Sequence, residues 1–301
     1  GRKSLAYNKL MSFRRSRALV LLLCLSALGT SSCLVRRRVI TRKGGTVKQA
    51  LLNADKQTLL ARVDQVYKSI RDFSATVDMI PALGTAEKSS ITEYKDVRGY
   101  ILFRKPDDIR IIGLFPVVRN KAFDMVSNGT DFRLHIPSKS RFITGRNELT
   151  TPSKNKIENL RPQHFVEAML VRPVETGESA VLENLTDEDN AYYVLLLIRQ
   201  EADGQLRLSR SIWFERLHLA LSRQIVYDQA GNILTDARYS QWQAYDNVGF
   251  PRQVDINRPR DEYSVVITVV KMDINKGVTD DKFVLEQPAG TTLQVLGNNS
   301  K

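Results

Sequence analysis

The sequence predicts a mainly β protein of the α+β type, built on one large, strongly curved antiparallel sheet with a few helices. Three observations predict it. From Phe73 onward, apolar and polar residues alternate in roughly a dozen short runs, the period of a half-buried strand. Nearly all of these runs are joined by short turns, which implies antiparallel neighbours, because parallel neighbours need long crossovers. A helical period is confined to residues 47–72 and 156–171. The composition, 42% hydrophobic and 26% charged, is that of a folded globular chain rather than a disordered one.

In residues 47–72, Leu52, Leu59, Val63, Val66, Tyr67 and Ile70 recur at spacings of three, four and seven, which places them on one helical face. Asn53 or Asp55 could cap the stronger part. Phe73, Ala75, Val77 and Met79 then alternate with polar residues until Pro81, where the run is expected to stop. Val97–Phe103 alternates again, Lys105–Asp108 makes a turn, and Ile109–Ile111 follows. Asn128–Gly129 lies between two alternating runs and predicts a hairpin, with both turn residues at positive φ. Arg141–Gly145 is a further short strand.

Residues 156–171 read as one helix or two short ones, with Pro162 in a first turn and Phe165, Met169 and Leu170 on the apolar face. Strands resume at 178–184, 191–199, 206–216, 219–228, 232–243, 252–257 and 262–274. No linker and no tandem repeat interrupts the chain after residue 46.

The formal charge of +12 first suggests nucleic acid or a membrane surface. Its distribution changes that reading. Residues 1–43 hold 11 basic residues and no acidic one, which leaves 34 Lys and Arg against 33 Asp and Glu in the body. A nearly neutral body argues against nucleic acid, since phosphate neutralisation needs a concentrated basic face.

The basic segment has the order of an export signal. Arg14-Arg15-Ser16-Arg17 precedes twelve uncharged residues, 18–29, and then Thr30-Ser31-Ser32-Cys33. Twelve helical residues span about 18 Å, short of the roughly 30 Å hydrocarbon core that an uncleaved anchor would have to cross. Met11 is the expected start, which makes residues 1–10 an upstream artefact. Arg14-Arg15 leaves a twin-arginine signal as an alternative.

Small residues before Cys33 resemble the bacterial lipobox, in which the cysteine is acylated and becomes the mature N-terminus. The usual large aliphatic residue three before the cysteine is Thr30 here. Ordinary cleavage after Ser32 is the alternative and would leave a free thiol. The chain has two cysteines, Cys24 and Cys33, and Cys24 lies in the segment to be removed. The expected organisation is a signal peptide over 1–32, a lipidated N-terminus and basic tether over 33–46, and one folded domain over 47–301. Arg36, Arg37 and Arg38 would face anionic head groups or form a solvated linker.

Motifs for chemistry are sparse. His135, His164 and His218 are isolated and in no metal-ligand spacing, and there is no nucleophile elbow, phosphate loop or dinucleotide fingerprint. Asp124 and Glu215 could pair in the fold, although a solvated carboxylate is the simpler reading of each. The expectation is a non-enzymatic protein with no cofactor and no metal.

Two features suit apolar ligands. Ile111–Val118 is apolar and broken by Gly113 and Pro116. Such a loop is either buried or presents Leu114 and Phe115 to a membrane or acyl chain. Arg210 falls in register with the apolar side of Leu206–Phe214. It could hold a ligand head group or carbonyl, or mark a bulge or a snorkelling side chain.

The runs LLARVDQVYKSIRDFSATVDM (59–79), DVRGYILFRKPDDIRI (96–111) and FDMVSNGTDFRLHIP (123–137), with the later hairpins, resemble the periplasmic lipoprotein carrier and receptor superfamily, LolA and LolB. The resemblance covers most of residues 47–284 as a pattern rather than a strict motif. It implies an open half-barrel whose N-terminal and mid-chain helices close a hydrophobic cavity. It further implies lipid acyl chains or acylated lipoproteins as partners, a monomer, and lipoprotein or lipid transport. The family's receptor is itself an outer-membrane lipoprotein, and Cys33 places this chain nearer to it. That receptor projects an apolar loop between early strands, the place held here by Leu114 and Phe115. A structural envelope lipoprotein with the same fold is the alternative. Leu34, rather than Asp, after Cys33 implies the outer membrane.

Overall fold

A computed structural model describes residues 50–85, 89–148, 160–187 and 189–296. Every described residue lies within one compact unit, Ala50–Lys301. The export segment, Cys33 and the basic tether lie outside the described residues.

Helix α1 spans Lys56–Ser69, inside the wider stretch that periodicity marks. Asp55 starts it, its carboxylate accepting the Thr58 N–H at 2.8 Å and so satisfying one orphan donor of the first turn. Asn53 does different work, accepting from Arg216 and Tyr193. The first meander follows as β1 (Asp72–Thr85), β2 (Ser90–Glu93), β3 (Val97–Arg104), β4 (Asp108–Leu114), β5 (Lys121–Ser127), β6 (Asp131–Ile136) and β7 (Arg141–Arg146). Helix α2 is short, Pro162–Met169, with Pro162 in its first turn. The second meander is β8 (Glu178–Thr186), β9 (Ala191–Gln200), β10 (Leu206–Glu215), β11 (Ala220–Tyr227), β12 (Ile233–Tyr245), β13 (Val248–Arg258) and β14 (Tyr263–Ile274), and β15 (Thr292–Leu296) ends the described chain.

All fifteen strands form one sheet, in the order β15-β7-β6-β5-β4-β3-β1-β14-β13-β12-β11-β10-β9-β8, with β2 beside the far end of β1. The sheet is not closed, since β8 and β15 are its edges. β1 sits in the middle, pairing with β3 on one side and with β14 on the other. The curvature follows from α2, which touches β4 and β5 as well as β12 and β13. Six strand intervals separate β5 from β12 in that order. Laid flat, they would span about 29 Å, against a helix diameter of about 10–12 Å. The sheet must therefore wrap around the helix.

Four expectations are corrected. Pro81 does not end β1, which runs on to Thr85. Pro81 accepts from the Tyr94 N–H at the point where the neighbouring partner changes from β3, last paired at Val97, to β2. No ladder bond needs the missing Pro81 N–H there. The Asn128–Gly129 hairpin forms, but only Gly129 of the pair has a positive φ. Asn128 Oδ1 instead accepts from Thr130 and Asp131 N–H, which closes a three-residue loop. β4 extends through Gly113 to Leu114, so the apolar loop starts later than the residues suggested. The sheet is not purely antiparallel, because β15 lies parallel to β7.

Candidate functional site

The inner face of the sheet is apolar across almost all of its strands. Phe73, Ile101, Ile109, Phe132, Leu195 and Phe214 are buried there in one cluster with Leu59 and Val63 of α1 and Phe165 and Val166 of α2. The two helices do close over this face, and they fill it. The space left between α1, the exit of α2 and β11–β13 is about 10 Å³, lined by Val66, Tyr67, Met169, Leu221, Tyr239 and Phe250 among others. That is room for about one water, and an acyl chain does not fit in it.

Helix α2 is held differently from an ordinary surface helix. Seven of its eight residues are buried, and its N-cap residue, Arg161, makes no side-chain capping bond. The orphan carbonyls of its last turn are met by the sheet. Tyr239 Oη donates to Ala168 O at 2.7 Å and Gln224 Nε2 to Glu167 O at 3.0 Å. Arg210 continues the row, donating to Arg172 O at 2.9 Å and Pro173 O at 2.8 Å just beyond the helix. On the opposite side, Gln163 and Arg172 donate to Asp107 in the β3–β4 turn.

Arg210 is thus a buried inner-face residue, and it also sits at a bulge, where the register shifts between Leu208 and Arg210. Its guanidinium pairs with Glu178 at 2.6 Å and clamps the connection from α2 to β8. Burial works against the Glu178 charge, but hydrogen bonds from Arg210, the Glu175 N–H and Ser209 outweigh it and hold the carboxyl below its ordinary value.

His164 is the most perturbed group of α2. Its Nδ1 lies 2.8 Å from Tyr263 Oη, and the rings stack at an interplanar angle of 18°. Burial, with Arg258 and Arg161 nearby, pushes its pKa well below the usual histidine range. The Asp261 carboxylate is 4.0 Å away but is engaged by Arg258 at 2.6 Å. Burial pushes the Glu167 carboxyl the other way, up.

The second element is the β4–β5 loop. The backbone closes it on itself, Phe115 N–H donating to Asn120 O and Arg119 N–H to Phe115 O. The apolar side chains between cannot fold back, and Val117 is 91% and Val118 65% exposed, against 39% for Phe115. Leu114, the last residue of β4, is only partly covered. Sequence reasoning placed the tip at Leu114 and Phe115 and missed the two valines, although Pro116 followed by consecutive β-branched residues was the available signal. Gly113 is not a break in the strand. A Cβ there would meet the Phe123 ring at 2.2 Å, so glycine makes room for that ring. Ile91 and Tyr94, at the same end of the sheet by register, are also exposed.

Asp124 and Glu215 do not meet. Asp124 is buried on the outer face, in a two-bond fork with Arg110 and a 2.8 Å bond to Lys121. Burial opposes its charge and these partners outweigh the burial, so its pKa falls. Glu215 binds His218 and the turn after β10. Among the described residues no group of three or more His, Cys, Asp or Glu could hold a metal ion, and no helix is long and apolar enough to cross a membrane.

No protein-family model and no curated protein matches the chain. Solved structures do. A LolA superfamily protein from Nitrosomonas europaea matches at 16% identity, covering 77% of this chain and 99% of its own, with a TM-score of 0.48. A DUF1329 family protein from Desulfovibrio piger matches at 17% identity over 75% of this chain and 95% of its own, with a TM-score of 0.49. A protein domain from Vibrio parahaemolyticus, named for outer membrane lipoprotein sorting, matches at 13% identity over 75% and 94%, with a TM-score of 0.47. It is a likeness of fold alone.

Proposed function

We propose that this protein is a non-enzymatic, membrane-anchored lipoprotein that binds acyl chains on the inner face of its sheet. It is held by lipid on Cys33 at the periplasmic face of the bacterial outer membrane and acts in lipoprotein or lipid transport or insertion. The observation that carries the reading is α2. An eight-residue helix is too short to be stable alone, and this one owes its place to an apolar face and to side-chain donors of the sheet. Unseating it opens that face. Fourteen buried methylenes contribute about 11 kcal/mol at about 0.8 kcal/mol each. Phe165, Val166, Met169, Leu170 and Val171 bury a comparable apolar surface when α2 is in place, at about 1.5–3 kcal/mol per side chain. Exchange between helix and acyl chain is therefore close to balanced, which suits uptake followed by release. The loop tip of Val117 and Val118, with Leu114 and Phe115 behind it and Arg119 beside it, gives the membrane contact: apolar side chains for the acyl boundary and a cation for anionic head groups.

The test is mass spectrometry of lipid carried by the protein after incubation with vesicles. Bound acyl lipid is expected, and none would defeat the reading. Val117→Glu with Val118→Glu should impair transfer to vesicles while leaving the fold intact, and the Leu114→Glu, Phe115→Glu pair should do the same. Cys33→Ser should release the protein from membranes. A second reading, an envelope-complex lipoprotein with a permanently filled core, is favoured by the residual space of about 10 Å³. Failure to load any lipid would select it.

A further inference from the structure

The inner-face groups that seat α2 also define what can replace it. Three adjacent strands supply them in a diagonal row: Arg210 on β10 lies opposite Val226 of β11, Gln224 of β11 lies opposite Ala237 of β12, and Tyr239 is two residues further on. All three side chains are buried. With α2 withdrawn, Gln224 Nε2 and Tyr239 Oη would lose their acceptors, Glu167 O and Ala168 O. Arg210 would keep Glu178 but lose two carbonyls. A hydrocarbon laid over this row would strand buried donors, each at a free-energy penalty comparable to a lost hydrogen bond or more.

A second observation narrows the ligand. Gln224 Oε1 is buried and has no hydrogen-bond partner even with α2 in place. Buried side-chain acceptors are as a rule satisfied. The helix meets the donor half of the Gln224 amide and leaves the acceptor half unmet. An extended residue that presents its own N–H and carbonyl on one side, as a strand residue does in a ladder pair, would meet both halves, because a side-chain amide both donates and accepts.

We propose that the ligand taking the place of α2 is an acyl chain joined through an amide to an amino acid or peptide, the acyl carbonyl accepting from Tyr239, the amide N–H donating to Gln224 Oε1, and the next carbonyl, that of the acylated residue, accepting from Gln224 Nε2. This rests on the reading of the inner face as an acyl site. Gln224 and Tyr239 orient the head of the chain, and the apolar face along β13, β14 and β1 takes its length. The chemistry selects N-acylated amino acids and peptides over alkyl ethers, and over acyl esters by one hydrogen bond.

Three probes of equal length and charge test this with the full chain: N-palmitoylglycylglycine, its ester analogue with oxygen in place of the acyl-bearing N–H, and the hexadecyl ether analogue without the carbonyl. Competition between pairs of probes, read by mass spectrometry of the protein-bound fraction, gives affinity ratios. The amide is expected to bind about tenfold better than the ester, and the ester about tenfold better than the ether, about 1.4 kcal/mol per step. Gln224→Met should erase the amide-to-ester step, and Tyr239→Phe should shrink the ester-to-ether step. Both variants also loosen α2, which raises uptake of all three probes together and leaves the ratios to report recognition. Equal, good binding of all three probes overturns the amide inference and leaves the acyl site standing. Binding of none overturns the acyl site and this inference with it.

Discussion

The two helices cover the same apolar face by different means. α1 is amphipathic: Leu59 and Val63 are buried while Lys56, Gln57, Arg62 and Gln65 face water, and its own cap, Asp55, starts it. α2 is buried nearly all round, has no side-chain cap at its N-terminus, and draws its terminal hydrogen bonds from Tyr239 and Gln224 of the sheet. A helix that carries its own determinants belongs to the scaffold. A helix completed by the surface it covers can be exchanged for another occupant of that surface.

The largest expected effect is on the scaffold side. Leu59 is fully buried, and Leu59→Ala should destabilise the protein by about 2–5 kcal/mol, measured by urea unfolding, with no change in acyl uptake per folded molecule. A rise in uptake would erase the distinction between the helices. Tyr239→Phe leaves Ala168 O without its donor and should be milder, about 1–3 kcal/mol, yet it should raise uptake and speed amide exchange in α2. Unchanged exchange there would mean that α2 is part of the scaffold after all. Asp55→Ala should cost about 1 kcal/mol and affect the start of α1 alone.

The smallest effect is that of pH on the seat of α2. His164 faces Tyr263 of β14, Asp261 and Arg258 at the β13–β14 turn, and Arg161 of its own segment. Its folded pKa lies below that of the unfolded chain, so the unfolded state binds the proton more readily. The stability it confers is complete above its ordinary value of 6.5 and is lost as pH falls below that value towards the depressed folded one. Glu167 has the opposite sign. Its pKa is raised from 4.5, so its contribution is complete below 4.5 and is lost as pH rises through the folded value. Protection of α2 amides should therefore carry two opposing pH dependences, His164 raising it and Glu167 lowering it as pH rises. His164→Gln should remove the rising component and leave the fall, and Glu167→Gln should remove the falling component and leave the rise. Identical profiles in the unsubstituted protein and both variants would show that neither group reports on the seat.

The same contrast separates what was legible in the sequence from what was not. The Leu59–Ile70 stripe and Asp55 act within a few residues of each other, so α1 could be read directly. So could the β3–β4 and β5–β6 hairpins, although Asn128 closes its loop by a side-chain bond that the dipeptide alone does not reveal. α2 gave only its Pro162 and an apolar face. That Gln163, His164 and Gln224 are buried with it depends on partners 56 to 99 residues away along the chain. Arg210 was legible as an inward residue, but not as the clamp on residues 172 and 173. Val117 and Val118 were absorbed into an apolar run because exposure at a loop tip depends on where the neighbouring strands end.

By itself the sequence determined the mainly β class, most of the strands, the capped first helix and the two segments, residues 111–118 and Arg210, where apolar pattern and position disagree. Each of these is a local property, set by side-chain period, turn chemistry or capping within a few residues. The tertiary structure decided that β1 lies at the centre between β3 and β14, that Pro81 is tolerated in a strand, that β15 runs parallel to β7, and that α2 fills the inner face. Those outcomes turn on which distant donors, acceptors and apolar surfaces meet. Phe73 and Ile274 are register partners two hundred residues apart, and no short window of sequence carries the sign of such a meeting.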